Sequence, residues 1–290
     1  NILQEGDIQI RGFKLRLHLD MQFIFTANPE DYTNRGSIVT PLKDRIGSQI
    51  LTHYPETIEV AKTITSQEAA FDGRQSSTIF IPELAKDILE QIIFEARKSE
   101  FVDVKSGVSA RLSITAFENL VSTAERRLLH SGDDKTGIRM SDFIGIIPAI
   151  TGKIELVYEG EQEGAYSVAL TLLGSAIKTL YSKYFPKIEK LEKQGVETPY
   201  DEIVSWFFNT SDDFEILDDI QEKDYKIILE KVKPLSNFIK KFKEDLQPNE
   251  VYFWQEFVLW SLVEYKKLNK YRYAEGIQFK DPYGSFISGL

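Results

Sequence analysis

The chain has no cysteine. That excludes thiol catalysis, zinc–thiolate and iron–sulfur centres, and any disulfide scaffold. It fits a reducing cytoplasm, the location expected here. Basic charge is also short, with 35 Lys and Arg against 45 Asp and Glu and a net charge of −10. A general binder of duplex DNA needs a net basic face, so no nucleic-acid partner is expected. Histidine is scarce: His18, His53 and His130 lie far apart in sequence, and none falls in an H-E-x-x-H. No shared metal site is expected from them. No apolar run approaches the roughly 18 residues of a membrane span, and no signal peptide precedes the first strand pattern. A G-x-x-x-x-G-K-[ST] phosphate loop is missing too. Gly152-Lys153 is followed by Ile154, and Asp134-Lys135-Thr136 lacks the upstream glycine, so neither can cradle phosphates. There is also no apolar strand ending in Asp-Glu.

What is there begins with strands. Asp7–Ile10 is β-prone, Arg11-Gly12 supplies a turn, and Phe13, Leu15, Leu17 and Leu19 alternate with Lys14, Arg16 and His18. This predicts a hairpin with one apolar and one basic face. The apolar run from Met21 to Pro29 predicts a strand buried on both faces, as in a parallel sheet. Gln49–Pro55 reads as one more short strand. Helical periodicity then takes over: Thr57–Phe71, a helix opened by Ile81-Pro82-Glu83, Ser113–His130, Ser141–Ile150 with Ser141 as its N-cap, and Gly164–Phe185. Residues 186–199 are a charged, proline-flanked linker. Residues 200–275 read as helices rich in aromatics and charge, with Tyr252–Trp260 as helix core, and the residues from Asp281 onward read as a tail. The opening Asn1–Gly6 reads as the end of a helix. Two terminal strands cannot close a core of their own, so the chain reads as a fragment or a processed product.

Three segments could carry chemistry. In Phe25-Thr26-Ala27-Asn28-Pro29-Glu30 a polar Asn28 stands at a strand end, the edge where open parallel sheets bind ligands. Asn28 can orient a water or bond a phosphate; Asn28-Pro29 is equally a strand-ending turn. In Thr40-Pro41-Leu42-Lys43-Asp44-Arg45-Ile46-Gly47 the arginine is either half of an exposed ion pair or a cation presented to a phosphate. In Ser106-Gly107-Val108-Ser109-Ala110-Arg111 a Ser/Gly loop delivers Arg111 to the start of a long helix. The helix dipole disfavours a cation there, so Arg111 asks for an anionic partner or is a surface arginine beside a loop. The acidic pairs Asp212-Asp213 and Asp218-Asp219 read as a solvated face.

Taken in order, these segments resemble one family, the AAA+ ATPases of the MoxR and magnesium-chelatase ATPase-subunit group. Ile24–Glu30 resembles the sensor 1 strand, with Asn28 the sensor. Pro41–Gly47 resembles the arginine-finger segment, with Lys43 and Ile46 in place of the commoner Leu and Phe. Ser109-Ala110-Arg111 resembles the S-P-R motif of sensor 2, with Ala for Pro. The hairpin Gly6–Leu19 resembles the pre-sensor-1 insertion. The resemblance covers residues 1–185. It implies an α/β remnant of an AAA+ core over residues 1–56, holding the last strands and the hairpin. A helical lid over 57–185 and a C-terminal helical region of unknown role over 200–290 follow. It implies ATP and Mg2+ as cofactors of a parent protein that supplies the phosphate loop, and a homo-oligomeric ring, usually a hexamer. Asn28 and Arg45 would be catalytic, Arg111 would bind nucleotide, and this chain alone would not hydrolyse ATP. The client would be remodelled or loaded with metal, possible partners including a von Willebrand-type protein. Two other readings stand beside it: a sigma-54-type transcriptional activator, disfavoured because no basic recognition helix follows residue 200, and a non-enzymatic helical interaction module with a degenerate ATPase remnant.

Overall fold

In the computed structural model of the chain, residues 7–16, 22–26, 40–188, 198–210 and 213–282 are described. The chain divides into two units, residues 1–54 and residues 55–290.

The first unit holds the predicted hairpin. β1 (Asp7–Ile10) pairs antiparallel with β2 (Phe13–Arg16). Arg11 and Gly12 both take positive φ, 48° and 88°, the two-residue turn whose twist suits a hairpin. Ile8 stands opposite Leu15 and Ile10 opposite Phe13, so the apolar residues share one face. That face is bare: Phe13 is 81% exposed, and Ile10 and Leu15 are more than half exposed. The expected buried strand after it is corrected. Residues 22–26 pair with no strand among the described residues, and Phe23, Ile24 and Phe25 are exposed, with Phe23 stacked on Phe25 at 6.3 Å. Residues 49–54 form no strand either, and Ile50 is 89% exposed. Both runs are apolar enough for an interior but have no described surface to pack on. A short helix, α1 (Thr40–Lys43), lies between them.

The second unit is mainly helical. α2 (Ile58–Glu68) is capped by Thr57, whose hydroxyl accepts the Val60 N–H at 3.3 Å. α3 (Gly73–Thr78) opens with a reciprocal Asp72–Gln75 capping box, satisfying two otherwise orphaned donors. β3 (Ile79–Phe80) pairs parallel with β4 (Thr136–Gly137). α4 (Glu83–Ala96) buries Leu84, Ile88, Leu89, Ile92 and Ile93, the face its spacing predicts. α5 (Ala110–Ser131) begins earlier than Ser113 and ends at Gly132. The helix expected from Ser141 is instead a 3-10 segment, Met140–Ile146, running into α6 (Ile147–Thr151). Its start is fixed by Asp142, which accepts the Arg139 N–H at 2.8 Å, and not by Ser141. α7 (Tyr158–Glu163) leads to α8 (Ala165–Tyr184), which packs on α4.

After the charged stretch come α9 (Asp201–Asn209), β5 (Phe214–Leu217), α10 (Glu222–Lys231), α11 (Lys233–Phe242), α12 (Val251–Glu264), β6 (Asn269–Tyr273) and β7 (Gly276–Lys280). The expectation of helices alone over residues 200–275 is therefore corrected. An antiparallel sheet in the order β5-β7-β6 closes this region, with Phe214 opposite Phe279 and Ile216 opposite Ile277. Gly276 lets the strands meet, since a Cβ there would sit 2.6 Å from the Ile216 carbonyl oxygen. One hydrophobic core runs from Ile79 to Phe279. It joins the helices on both sides of the charged stretch, for example where Phe185 meets Phe238 at 5.1 Å and Trp254 at 5.8 Å.

Inside this core Arg127 and Asp142 form an ion pair at 2.7 Å, each 4% exposed. Removing one partner of such a pair strands a buried charge. Asp142→Ala should cost about 3–5 kcal/mol, while Asp142→Asn, which keeps an acceptor for the Arg139 N–H, should cost less. Urea unfolding midpoints would check this; an Ala variant as stable as the parent would refute it.

Candidate functional site

The three residues proposed to carry chemistry fare differently. Asn28 lies outside the described residues. Arg45 follows α1 on a tightened turn, where its N–H donates to the Leu42 carbonyl at 3.0 Å and the Ile46 N–H to Lys43 at 3.2 Å. Its guanidinium reaches back to the Pro41 carbonyl and is exposed. Pro41, Leu42 and Lys43 thus set the direction in which Arg45 leaves the turn.

Arg111 is built more elaborately. The loop before α5 is folded around Asp103, whose carboxylate accepts the Lys105 N–H at 3.0 Å and the Ser106 hydroxyl at 2.8 Å. The Lys105 amide first, then the Ser106 hydroxyl, hold this carboxyl below the ordinary Asp range. Ser106 also bonds Glu155, and the Asp103 N–H donates to the Glu155 carbonyl at 2.8 Å. Gly107 takes φ 69°, a left-handed conformation that glycine adopts without steric cost. Val108 is buried, and its carbonyl accepts both Nε and Nη2 of Arg97 at 3.3 Å. Ser109 caps α5, its Oγ accepting the Arg111 N–H at 3.2 Å. One turn on, Leu112 is fully buried. The Arg111 backbone is therefore pinned on both sides. Its guanidinium is exposed and makes no hydrogen bond or ion pair with another described residue.

Beneath this turn lies Glu90 of α4, 2% exposed. It accepts hydroxyl bonds from Thr65 at 2.5 Å and Ser113 at 3.0 Å. Burial raises its pKa, against the lowering effect of those two hydroxyls. Nearby, Asp87 pairs with Lys62 at 2.6 Å and accepts the Tyr184 hydroxyl at 2.8 Å. Glu90, Arg97 and the Val108 carbonyl were not singled out in the sequence. Their roles are tertiary, and only the polar positions inside apolar helix faces hint at them.

The remaining constellations have local explanations. His18 lies outside the described residues. His53 bonds the Tyr54 carbonyl at 2.9 Å, and His130 faces Asp219 at 3.3 Å. Asp218 forms a bidentate pair with Arg272 at 2.7 and 2.6 Å, and Asp213 faces Lys280 at 3.6 Å; Asp212 is not described. Among the described residues no three His, Asp or Glu converge as a metal site, and no helix is long and apolar enough to cross a membrane. A surface depression of about 550 Å³, lined by Glu202, Ser205, Trp206, Asn209, Thr210 and Pro234, includes none of the residues above. Against known proteins, no family model, curated protein or solved structure matches the chain.

Two outcomes follow from this geometry. Ser109→Ala removes the N-cap and should cost about 1 kcal/mol of stability, read by thermal or urea unfolding. The raised Glu90 pKa means that the folded state keeps a proton that the unfolded chain has released. Stability should therefore fall as pH climbs from the ordinary carboxyl range through the folded value. Glu90→Gln cannot titrate, so its stability relative to the parent should grow as pH climbs above the ordinary carboxyl range. A difference independent of pH would show that the fold does not raise the Glu90 pKa.

Proposed function

We propose that this chain is the C-terminal part of an AAA+ ATPase of the MoxR and magnesium-chelatase ATPase-subunit group. Its parent would couple ATP hydrolysis to remodelling of, or metal insertion into, a client protein. The observation that carries the reading is Arg111. It is an exposed cation in the first turn of a long helix, on a backbone held by Arg97 and Ser109, with no described residue to neutralise it. That is the arrangement a sensor 2 arginine needs. The bare apolar residues of the first unit, Ile10, Phe13, Ile24 and Ile50, add support. They suit an apolar surface that another part of the protein would cover.

On this reading three residues would meet the nucleotide and its attacking water. Arg111 would hold one on the lid side. Arg45, on its turn, would reach the γ-phosphate of a neighbouring subunit in a homo-oligomeric ring such as a hexamer. Asn28 would orient the attacking water. ATP bound with Mg2+ supplies the phosphoanhydride to be cleaved, and no magnesium ligand is assigned to the described residues. Charge developing on the transferred phosphoryl group is what a positioned guanidinium stabilises, and such fingers contribute about 10³–10⁵ in rate. A von Willebrand-type protein would be a client partner, and the cytoplasm the location.

In the full-length protein, Arg45→Ala should lower ATP hydrolysis by about 10³-fold or more while leaving nucleotide affinity within a few-fold. Hydrolysis at the parental rate would overturn the assignment and favour a non-hydrolysing interaction module.

A further inference from the structure

Lys270 stands on β6, an edge strand of the β5-β7-β6 sheet. Its register partner on β7 is Phe279. Directly opposed residues share a face of the sheet, and Phe279 is buried, so Lys270 points inward. Its Nζ lies 3.4 Å from the centre of the Trp260 ring on α12. No hydrogen bond or ion pair joins that Nζ to a described residue. The residue is half-buried, so part of its surface stays within reach of solvent. An inward charge guards an edge strand against pairing with another chain, which accounts for a cation here but not for its lack of a counterion.

An ammonium in this position has exchanged water for an indole face. A cation–π contact returns about 0.5–2 kcal/mol, less than the several kcal/mol that desolvating an ion costs. The charged groups around it are Glu264 and Glu256 of α12 and Arg272 of its own strand. Burial pushes the Lys270 pKa down to about 8, against the raising effect of the two carboxylates, and Arg272 lowers it further. Lys178 of α8 stands 3.9 Å from Glu264 and shares that carboxylate. Neutral amine is therefore present near neutral pH, and a desolvated neutral lysine is a nucleophile. The Trp260 Nε1 beside it is buried and has no hydrogen-bond partner among the described residues. An acyl carbonyl on Nζ would bring an acceptor toward that N–H and would remove the poorly solvated charge.

We propose that Lys270 is an acylation site, its Nζ taking a small acyl group from an activated donor, either an acyl phosphate or a thioester. The Nζ lone pair attacks the acyl carbon. The carbon–oxygen bond to phosphate, or the carbon–sulfur bond of the thioester, breaks, and the leaving group keeps the electron pair. Nζ passes one proton to water, and a neutral amide remains on the Trp260 face. The site stands independently of the ATPase reading.

The full chain is incubated with acetyl phosphate, and separately with an acetyl thioester, over about pH 6.5 to 10, which spans the lowered and the ordinary lysine values. Acetylation rates at each lysine are read by peptide mass spectrometry. At about pH 7.5 Lys270 should react about tenfold faster than exposed Lys231, because it holds far more neutral amine than an ordinary lysine. Its rate should level off above about pH 9, where an ordinary lysine still climbs. Glu264→Gln removes a carboxylate that favours the cation, so the half-point at Lys270 should move to lower pH while Lys231 is unchanged. Reaction with one donor and not the other identifies the source. Lys270 reacting no faster than Lys231 with either donor, or still climbing at about pH 10, would overturn the proposal. A half-point left in place by Glu264→Gln would do the same, since the titrating amine would then not be the one beside Trp260.

Discussion

Taking Arg127 and Asp142 out of water together constrains how several elements of the second unit meet. Neither charge could be buried alone, because the desolvation of each is worth several kcal/mol. Their pairing at 2.7 Å solves part of this, and the remaining capacity is used on backbone: Asp142 on the Arg139 N–H, Arg127 on the Gly137 carbonyl. Those bonds fix the chain from the end of α5 to the 3-10 segment. That segment in turn positions Arg139 and the Met140 N–H toward the C-terminal region. The pair thus decides where helices from distant parts of the sequence meet, while the apolar core supplies the bulk of the stability.

Among the described residues of the first unit there is no buried ion pair of this kind. Its hairpin is locally sound, because the Arg11-Gly12 turn and the alternation specify the register. A two-stranded ribbon is at best marginal in water, however, and needs further strands or a helix against its apolar face. Exposed Ile10, Phe13 and Leu15 on that face are therefore a requirement for covering surface. The same holds for the run Phe23-Ile24-Phe25.

Local pattern was legible and non-local pairing was not. The face of α4 could be read from Leu84, Ile88, Leu89, Ile92 and Ile93, because helical spacing is a property of the segment itself. The start of α5 was harder: the cap is Ser109, while Ser113 turns its hydroxyl inward to Glu90, which only tertiary packing decides. The β5-β7-β6 sheet escaped notice although Ile277 and Phe279 alternate with Gln278 and Lys280. Its strands are short, and β5 is separated from its partner by three helices, so no local window holds both halves of the Phe214–Phe279 pair. At the candidate site the Ser/Gly loop and Arg111 were visible in the sequence. The supports, Arg97 on the Val108 carbonyl and Glu90 under the first turn, come from another helix and were not.

That division bears on what Arg111 is for. A cation in the first turn of a helix faces the partial positive end of the backbone dipole, at a cost of about 0.3–1 kcal/mol. No described carboxylate pairs with Arg111. Asp103 and Glu155 instead both bind Ser106, and Asp103 also takes the Lys105 amide. They hold the loop's shape and do not neutralise the arginine. The positive φ at Gly107, the bifurcated bond from Arg97 and the Ser109 cap all act on the backbone and leave the guanidinium uncommitted. Fixing the main chain while leaving the charge open lowers the ordering cost of meeting an anion, which is the expected design of a residue whose partner arrives from outside.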